Sequence, residues 1–327
     1  MTPAGPILAT VIGDPCGIGP EVLVKALAES PPRARVLAIG SAQAVKAAAS
    51  SMRGGGPRVR AIARARDASY APGILEVLDP GTLDAKHIRP GVVSADCGRA
   101  VVEWRALAAE IVHRGEADAI VQAPIHSGAI QAALGTGPIP SLAGGAPTHL
   151  MLVAGRLRIV HLTDHITLRE MLDHVRAVEL LALLRLVHDK LAQWGLRSPV
   201  IAVAGLNPHC QGPEERDEIA PAIRSAVESG IDARGPIAPD AVFRLAARGD
   251  YDCVVAHYHD QGHIAVKTAN FGEGCAIVLG EPHLRVSVAH GTGFDIAGRG
   301  VASAQGMTVA LHTATSLAAG RGFSGPG

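Results

Sequence analysis

Three observations predict an α/β protein with a largely parallel sheet. Short apolar runs alternate with longer helical patterns, the spacing of βαβ units. The 38 Gly and 22 Pro fall between these runs without collagen or linker periodicity. Hydrophobic residues make up 48% of the 327 and charged residues 18%, which supplies a sizeable core and excludes a disordered chain. At about 150 residues per domain this length predicts two domains. No repeat or low-complexity linker separates them, so they share chain crossings.

The elements follow in order. Residues 7–12 predict a buried strand, and Pro20 suits the first turn of a helix through Val24 and Leu27. Residues 35–39 predict a strand, and an Ala-rich helix follows near 42–49, ended by Gly54-Gly55-Gly56-Pro57. After a second pair of short strands, residues 94–112 read as a long helix with Ser94 as N-cap. Strands are expected at 118–121, 157–162 and 200–204, the last two separated by a helix over 176–193. Strands at 253–256, 276–279 and 285–288 and a helix at 303–317 complete the set.

Composition excludes several functions. Lys plus Arg number 30 and Asp plus Glu 30, so the basic footprint of a nucleic-acid or anionic-membrane binder is missing. Aromatics at 3% make base-stacking platforms improbable. The five cysteines form no CxxC pair, and their odd number argues against a complete disulfide framework. The N-terminus lacks the basic and apolar regions of a signal peptide, and Glu179 and Arg185 interrupt the most apolar helix. A soluble cytoplasmic protein is expected, with no nucleic-acid or membrane partner.

In open α/β sheets ligands bind outside the carboxyl ends of strands, and four candidate segments follow predicted strands. The first, Gly13-Asp14-Pro15-Cys16-Gly17-Ile18-Gly19-Pro20-Glu21, is neither GxGxxG nor a Walker loop; Asp14 either faces a ligand or caps the helix. His165, His209 and His259 each follow an apolar strand. Gathered together they would make an open divalent-metal site; singly, each reads more readily as a satisfied surface or core histidine. In Tyr258-His259-Asp260-Gln261-Gly262-His263-Ile264-Ala265-Val266-Lys267, the lysine is either a buried ammonium with a depressed pKa or a solvent-exposed residue. The glycine-dense segment from His290 to Gly300 could wrap a nucleotide, a weak pattern by itself.

Together these segments resemble the 4-hydroxythreonine-4-phosphate dehydrogenase family of pyridoxal-phosphate biosynthesis. The motifs are residues 13–21, Gly205-Leu206-Asn207-Pro208-His209, Tyr258-His259-Asp260-Gln261-Gly262 with Lys267, and the run from Arg285 to Thr292. They span nearly the whole chain in the family's order. The resemblance implies an isocitrate/isopropylmalate-dehydrogenase-like fold of two α/β/α domains with an active-site cleft between them. One domain is expected over 1–125 plus 285–327 and the other over 126–284. It also implies a homodimer with a shared active site. His165, His209 and His259 become ligands of one divalent metal (zinc, magnesium, manganese or cobalt). Lys267 and Asp260 become catalytic residues, and Lys267, Arg285 and Ser141 substrate contacts. His290, Gly291, Thr292 and Asp295 become cofactor-binding residues for NAD, with NADP as the alternative.

The implied enzyme is an NAD-dependent decarboxylating dehydrogenase that oxidises a secondary alcohol of a small anionic carboxylate. The residues suit that chemistry, since Arg offers a bidentate fork and Lys a point charge to an anion. Three departures from the family pattern fall on the substrate wall. The family's Gly-His-Thr-Glu is replaced by Gly137-Pro138-Ile139-Pro140-Ser141-Leu142, its asparagine by Ala276, and the loop after His209 is shortened. Lost buried hydrogen bonds alter specificity, so a paralogue is expected. A family branch that oxidises dihydroxy-cyclohexadiene dicarboxylates has similar segments at 140–142 and 259–264, and supplies the alternative function. A phosphate acyltransferase or a non-catalytic binding protein is the remote alternative.

Overall fold

The computed structural model describes residues 5–52, 54–135, 142, 145, 147–269 and 274–323. The chain divides into two compact units, residues 1–145 with 281–319 and residues 146–280 with 320–327.

The first unit opens with β1 (Ile7–Val11), α1 (Gly19–Glu29), β2 (Arg35–Ile39), α2 (Ala42–Ser51), β3 (Arg58–Ile62) and β4 (Ile74–Leu78). It continues with α3 (Ala95–His113), β5 (Ala119–Gln122) and α4 (Ser127–Leu134). The second unit holds β6 (His149–Ala154), β7 (Leu157–His161), α5 (Leu168–His174), α6 (Ala177–Gln193), β8 (Ile201–Ala204), α7 (Ala220–Glu228), β9 (Ala233–Ile237), α8 (Pro239–Arg248), β10 (Cys253–Ala256), α9 (His259–Ala269) and β11 (Cys275–Leu279). The chain then returns to the first unit with β12 (Arg285–Val288) and α10 (Gln305–Ala318).

In the first unit the strand order is β3-β4-β2-β1-β5-β12, every pair parallel. The order reverses between β1 and β5, so the connections leaving these strands diverge and leave a crevice at their carboxyl ends. The strands are short and apolar on both faces because helices cover both; Leu8, Val11, Leu37, Ile39 and Ile120 are buried, as is Trp104 of α3. Ser94 caps α3, its hydroxyl accepting the Cys97 N–H as its position before the apolar pattern predicts.

In the second unit the order is β11-β6-β7-β10-β8-β9. The largely parallel sheet expected from the sequence has its exception here, because β6, a strand not anticipated, runs antiparallel to both β7 and β11. The two-residue turn at Gly155 joins β6 to β7 as a hairpin, which leaves no length for a parallel crossover. The remaining pairs, β7–β10, β10–β8 and β8–β9, are parallel. Leu152, Ile159, Ala202, Val242, Val254 and Val266 form part of the core of this unit.

Candidate active site

The second unit places three loops side by side, because β7, β10 and β8 are parallel neighbours whose carboxyl ends point the same way. Each loop carries one of the histidines singled out from the sequence. His165 follows β7, His259 opens α9 after β10, and His209 follows β8.

Backbone-directed hydrogen bonds lock the loops together. The Thr163 hydroxyl donates to the His257 carbonyl at 2.8 Å, tying the β7 loop to the β10 loop. The Gln261 side chain accepts the His257 N–H at 2.8 Å and donates to the Gly205 carbonyl at 2.9 Å, tying the β10 loop to the β8 loop. The fully buried His257 ring lies 2.7 Å from the Ala204 carbonyl through Nε2, and burial depresses its pKa, so it sits there as a neutral donor. Sequence reading passed over Thr163 and His257, and took Gln261 only as a motif letter. A polar side chain directly after an apolar strand was the available signal.

His165 and His259 meet: their ring centroids are 5.2 Å apart, and ligand atoms of Asp164, His165 and His259 lie within 4.8 Å of one another. Each imidazole has a carboxylate next to it in sequence, but only His259 is hydrogen-bonded to its own, Asp260; Asp164 Oδ1 is buried without a hydrogen-bond partner among the described residues. Nδ1 of His165 is 3.1 Å from Asp164, and Nδ1 of His259 is 2.7 Å from Asp260. The His259 hydrogen bond holds the Asp260 carboxyl below its usual range. A carboxylate on Nδ1 fixes the tautomer and leaves Nε2 free as a ligand. Two imidazoles with a carboxylate are a donor set that suits a borderline divalent cation.

His209 is exposed and lies outside that group of three. Its loop is nevertheless built rigidly. The buried Glu215 carboxylate accepts the Leu206, Asn207 and Gly212 amides and the Asn207 side chain. Burial raises the Glu215 pKa, but these hydrogen bonds outweigh it and the carboxyl ends below its usual range. Both His165 (φ 46°) and His209 (φ 57°) adopt the left-handed conformation that non-glycine residues rarely occupy. Such strain persists only where the surroundings over-determine it, and it concentrates at functional sites.

Behind His259 stands a second imidazole that sequence reading did not use. The His263 ring stacks on His259 with centroids 3.7 Å apart and planes 11° from parallel. Burial and the charges of His259 and His161 push its pKa down to about 4. Gly262 permits this packing, since a Cβ there would run into His161 Nε2.

For Lys267 the structure takes the second of the two expectations. It lies one residue beyond the buried Val266, on the exposed face of α9.

The remaining candidates lie in the first unit. The Gly13 turn follows β1 at the crevice, with its φ of 74° and its approach to the Pro124 carbonyl both requiring glycine. Asp14 is buried, which raises its pKa, and its carboxylate accepts the Cys16 N–H at 2.9 Å. The Ile18 N–H donates to the Thr292 carbonyl at 2.9 Å, and the Phe294 ring lies 4.4 Å from that of His126. The segment holding His290, Gly291, Thr292 and Asp295 therefore packs on the turn after β1. Nε2 of His290 is buried without a hydrogen-bond partner among the described residues, an orphaned nitrogen that fits a ligand-binding loop. Arg285 is largely buried, and its Nε and Nη2 both donate to Glu281 at 2.7 Å. Glu281 was not foreseen from the sequence, and it leaves only the outer edge of the Arg285 fork for an anion. Ser141 lies outside the described residues.

Fold and site together define an α/β protein with clustered histidines at the carboxyl ends of adjacent strands. The family model for the pyridoxal phosphate biosynthetic protein PdxA matches residues 32–314, and the chain belongs to that family. A Novosphingobium aromaticivorans protein with the provisional name 4-hydroxythreonine-4-phosphate dehydrogenase is 42% identical over 97% of this chain and 96% of its own. The D-threonate 4-phosphate dehydrogenase of Bordetella bronchiseptica is 38% identical over 96% of this chain and 93% of its own. The crystal structure of a 4-hydroxythreonine-4-phosphate dehydrogenase from Klebsiella pneumoniae superposes with a TM-score of 0.85 at 34% identity, covering 96% of this chain and 99% of that one. The relatives are dehydrogenases, so this is an enzyme class acting on CH–OH groups. Among the described residues no helix is long and apolar enough to cross a membrane.

Proposed function

We propose that this protein is a nicotinamide-dependent, divalent-metal-assisted dehydrogenase that oxidises a phosphorylated four-carbon hydroxy acid and then releases its carboxylate as carbon dioxide. The observation that carries this reading is the close cluster of Asp164, His165 and His259 at the strand ends of the second unit, with the His259 imidazole held by Asp260. The dehydrogenase relatives with phosphorylated substrates in their names support the substrate class.

His165, His259 and Asp164 would hold the metal, with His209 as a further ligand in the assembled enzyme. When bound there, the metal would supply Lewis acidity towards the substrate's hydroxyl and carboxylate oxygens. Asp260 keeps the proton on His259 Nδ1 so that Nε2 stays a lone-pair donor. The outer edge of Arg285 and the Lys267 ammonium hold the substrate's anionic groups, and Lys267 Nζ supplies the proton that replaces the lost carboxylate. His290, Gly291, Thr292 and Asp295 bind the nucleotide, NAD before NADP. Oxidation of the alcohol β to the carboxylate gives a β-keto acid, whose decarboxylation leaves a three-carbon keto phosphate. A homodimer in the cytoplasm belongs to the same reading.

The test is NADH formation with added divalent metal on D-threonate 4-phosphate, on 4-hydroxythreonine 4-phosphate and on a cyclohexadiene diol dicarboxylate. We expect turnover of the four-carbon phosphates, and loss of both turnover and bound metal in His259→Ala. Turnover of the diol alone would move the same machinery to aromatic catabolism. Unchanged metal content in His259→Ala would remove that residue from the metal site.

A further inference from the structure

We propose that Cys16 and Cys97 form a peroxide-sensitive dithiol in the first unit, closing reversibly to a disulfide that ties the turn after β1 to the first turn of α3. Their Sγ atoms are 3.5 Å apart and neither residue is exposed. No other role described above uses either thiol. The two sulfurs reach this contact from parts of the chain 81 residues apart, so a bond between them would close a long covalent loop.

The surroundings suit the chemistry. Cys16 Sγ accepts the Arg89 N–H at 3.3 Å, and its hydrogen bond with Cys97, in which either thiol can donate, holds its pKa below that of an isolated thiol. Ligand atoms of Asp14, Cys16 and Cys97 lie within 4.8 Å of one another, so the two thiols share one small buried polar cluster. The cover over the sulfurs is one strand of chain thick. The carbonyl of His87 lies 3.7 Å from Cys16 Sγ and 3.5 Å from Cys97 Sγ, and residues 89–93 beyond it are exposed. Burial of both sulfurs keeps a protein thiol away, which favours an internal disulfide over a mixed one.

The oxidant is a hydroperoxide. The Cys16 thiolate attacks one oxygen of hydrogen peroxide; the S–O bond forms, the O–O bond breaks, and hydroxide leaves and takes up the proton shed by the thiol. The Cys97 sulfur then attacks the Cys16 sulfenic sulfur; the S–S bond forms, the S–O bond breaks, and a second water leaves with the Cys97 proton. Two thiols lose two electrons and one peroxide becomes two waters. The consequence reaches the candidate nucleotide loop, because Cys16 O accepts the Gly91 N–H at 2.8 Å and Ile18 N–H donates to Thr292 O. That consequence rests on the proposed cofactor site; the disulfide itself does not.

The test is a thiol count on the native enzyme, incubated with hydrogen peroxide and then unfolded in a trapping reagent. The expected result is a fall of two from the five cysteines, a linked peptide pair containing residues 16 and 97, and full recovery with dithiothreitol. Cys97→Ser should show no linked peptide, and Cys97→Ala provides the same test should the serine variant fold poorly. Five intact thiols after peroxide, oxidation that stops at sulfinic acid, or a stoichiometric thiophilic metal held by this pair would each overturn the proposal. Dinucleotide affinity that is unchanged by oxidation in a protein that does form the disulfide would overturn only the link to the nucleotide loop.

Discussion

Glu76 is buried within β4, and its oxygens accept the Ser69 and Tyr70 amides, the Ser69 hydroxyl and an N–H of Arg60. Burial raises the carboxyl pKa, but these hydrogen bonds from one loop outweigh it and hold the group below its usual range. Because the folded value lies below the unfolded one of about 4.3, the carboxylate stabilises the fold above that pH and loses this contribution as pH falls through the folded value. Glu76→Gln should flatten the acid limb of the Tm–pH curve and cost about 1–3 kcal/mol at neutral pH. Wild-type and variant curves that fall in parallel below pH 4.3 would refute the assignment. Nothing in the sequence marks Glu76, since a glutamate in an apolar strand reads as an edge residue until its partners are seen. The candidate histidines were readable by contrast, because each stands in the loop that follows an apolar strand, and the structure brings His165 and His259 of the three together. Their pairing with Asp164 and Asp260 was also present as adjacent letters, but sequence spacing cannot tell which carboxylate turns towards its neighbour.

Between elements, the tightest demand in the first unit falls where α3 meets α4. A Cβ on Gly98 would collide with the Ala129 carbonyl, a backbone atom that cannot rotate away. Gly98→Ala gains about 1 kcal/mol of helix propensity but forces α3 and α4 apart, at a cost of about 1–3 kcal/mol. The variant should therefore unfold at lower urea with an unchanged m-value. A midpoint at or above that of the wild type would show that propensity outweighs the contact. Long, strongly patterned elements such as α3 and α6 were readable because many turns report the same face. The elements that escaped are short or locally irregular. β9 contains Gly235-Pro236, which reads as a turn, and α9 begins inside the Tyr258–Gly262 motif with a glycine in its first two turns. α5 carries a reciprocal capping box between Thr167 and Glu170, a signal that was present in the sequence and not weighed.

At the scale of the molecule, each unit carries its own core and its own candidate ligand, and this makes the functional reading testable without any substrate. A ligand that binds only the folded form of a region stabilises it by RT ln(1 + [L]/Kd), about 2.7 kcal/mol at a hundredfold excess over Kd. In hydrogen exchange this slows the openings that release the ligand by about 100-fold. The metal candidates hang from the ends of β7, β8 and β10, so a divalent cation should first slow exchange of the amides in these strands and in α9. The nucleotide candidates follow β12 and pack on the turn after β1, so NAD should first slow exchange in residues 13–18 and 290–295. Chelation should reverse the first pattern and leave the second. A divalent cation that protected the turn after β1 while leaving β7, β8 and β10 unchanged would move the metal to the first unit, where Asp14, Cys16 and Cys97 are the only other close group of metal-ligating side chains among the described residues. Such a result would overturn the assignments of His165 and His259 together, because the two histidines share one cluster and stand or fall as a pair.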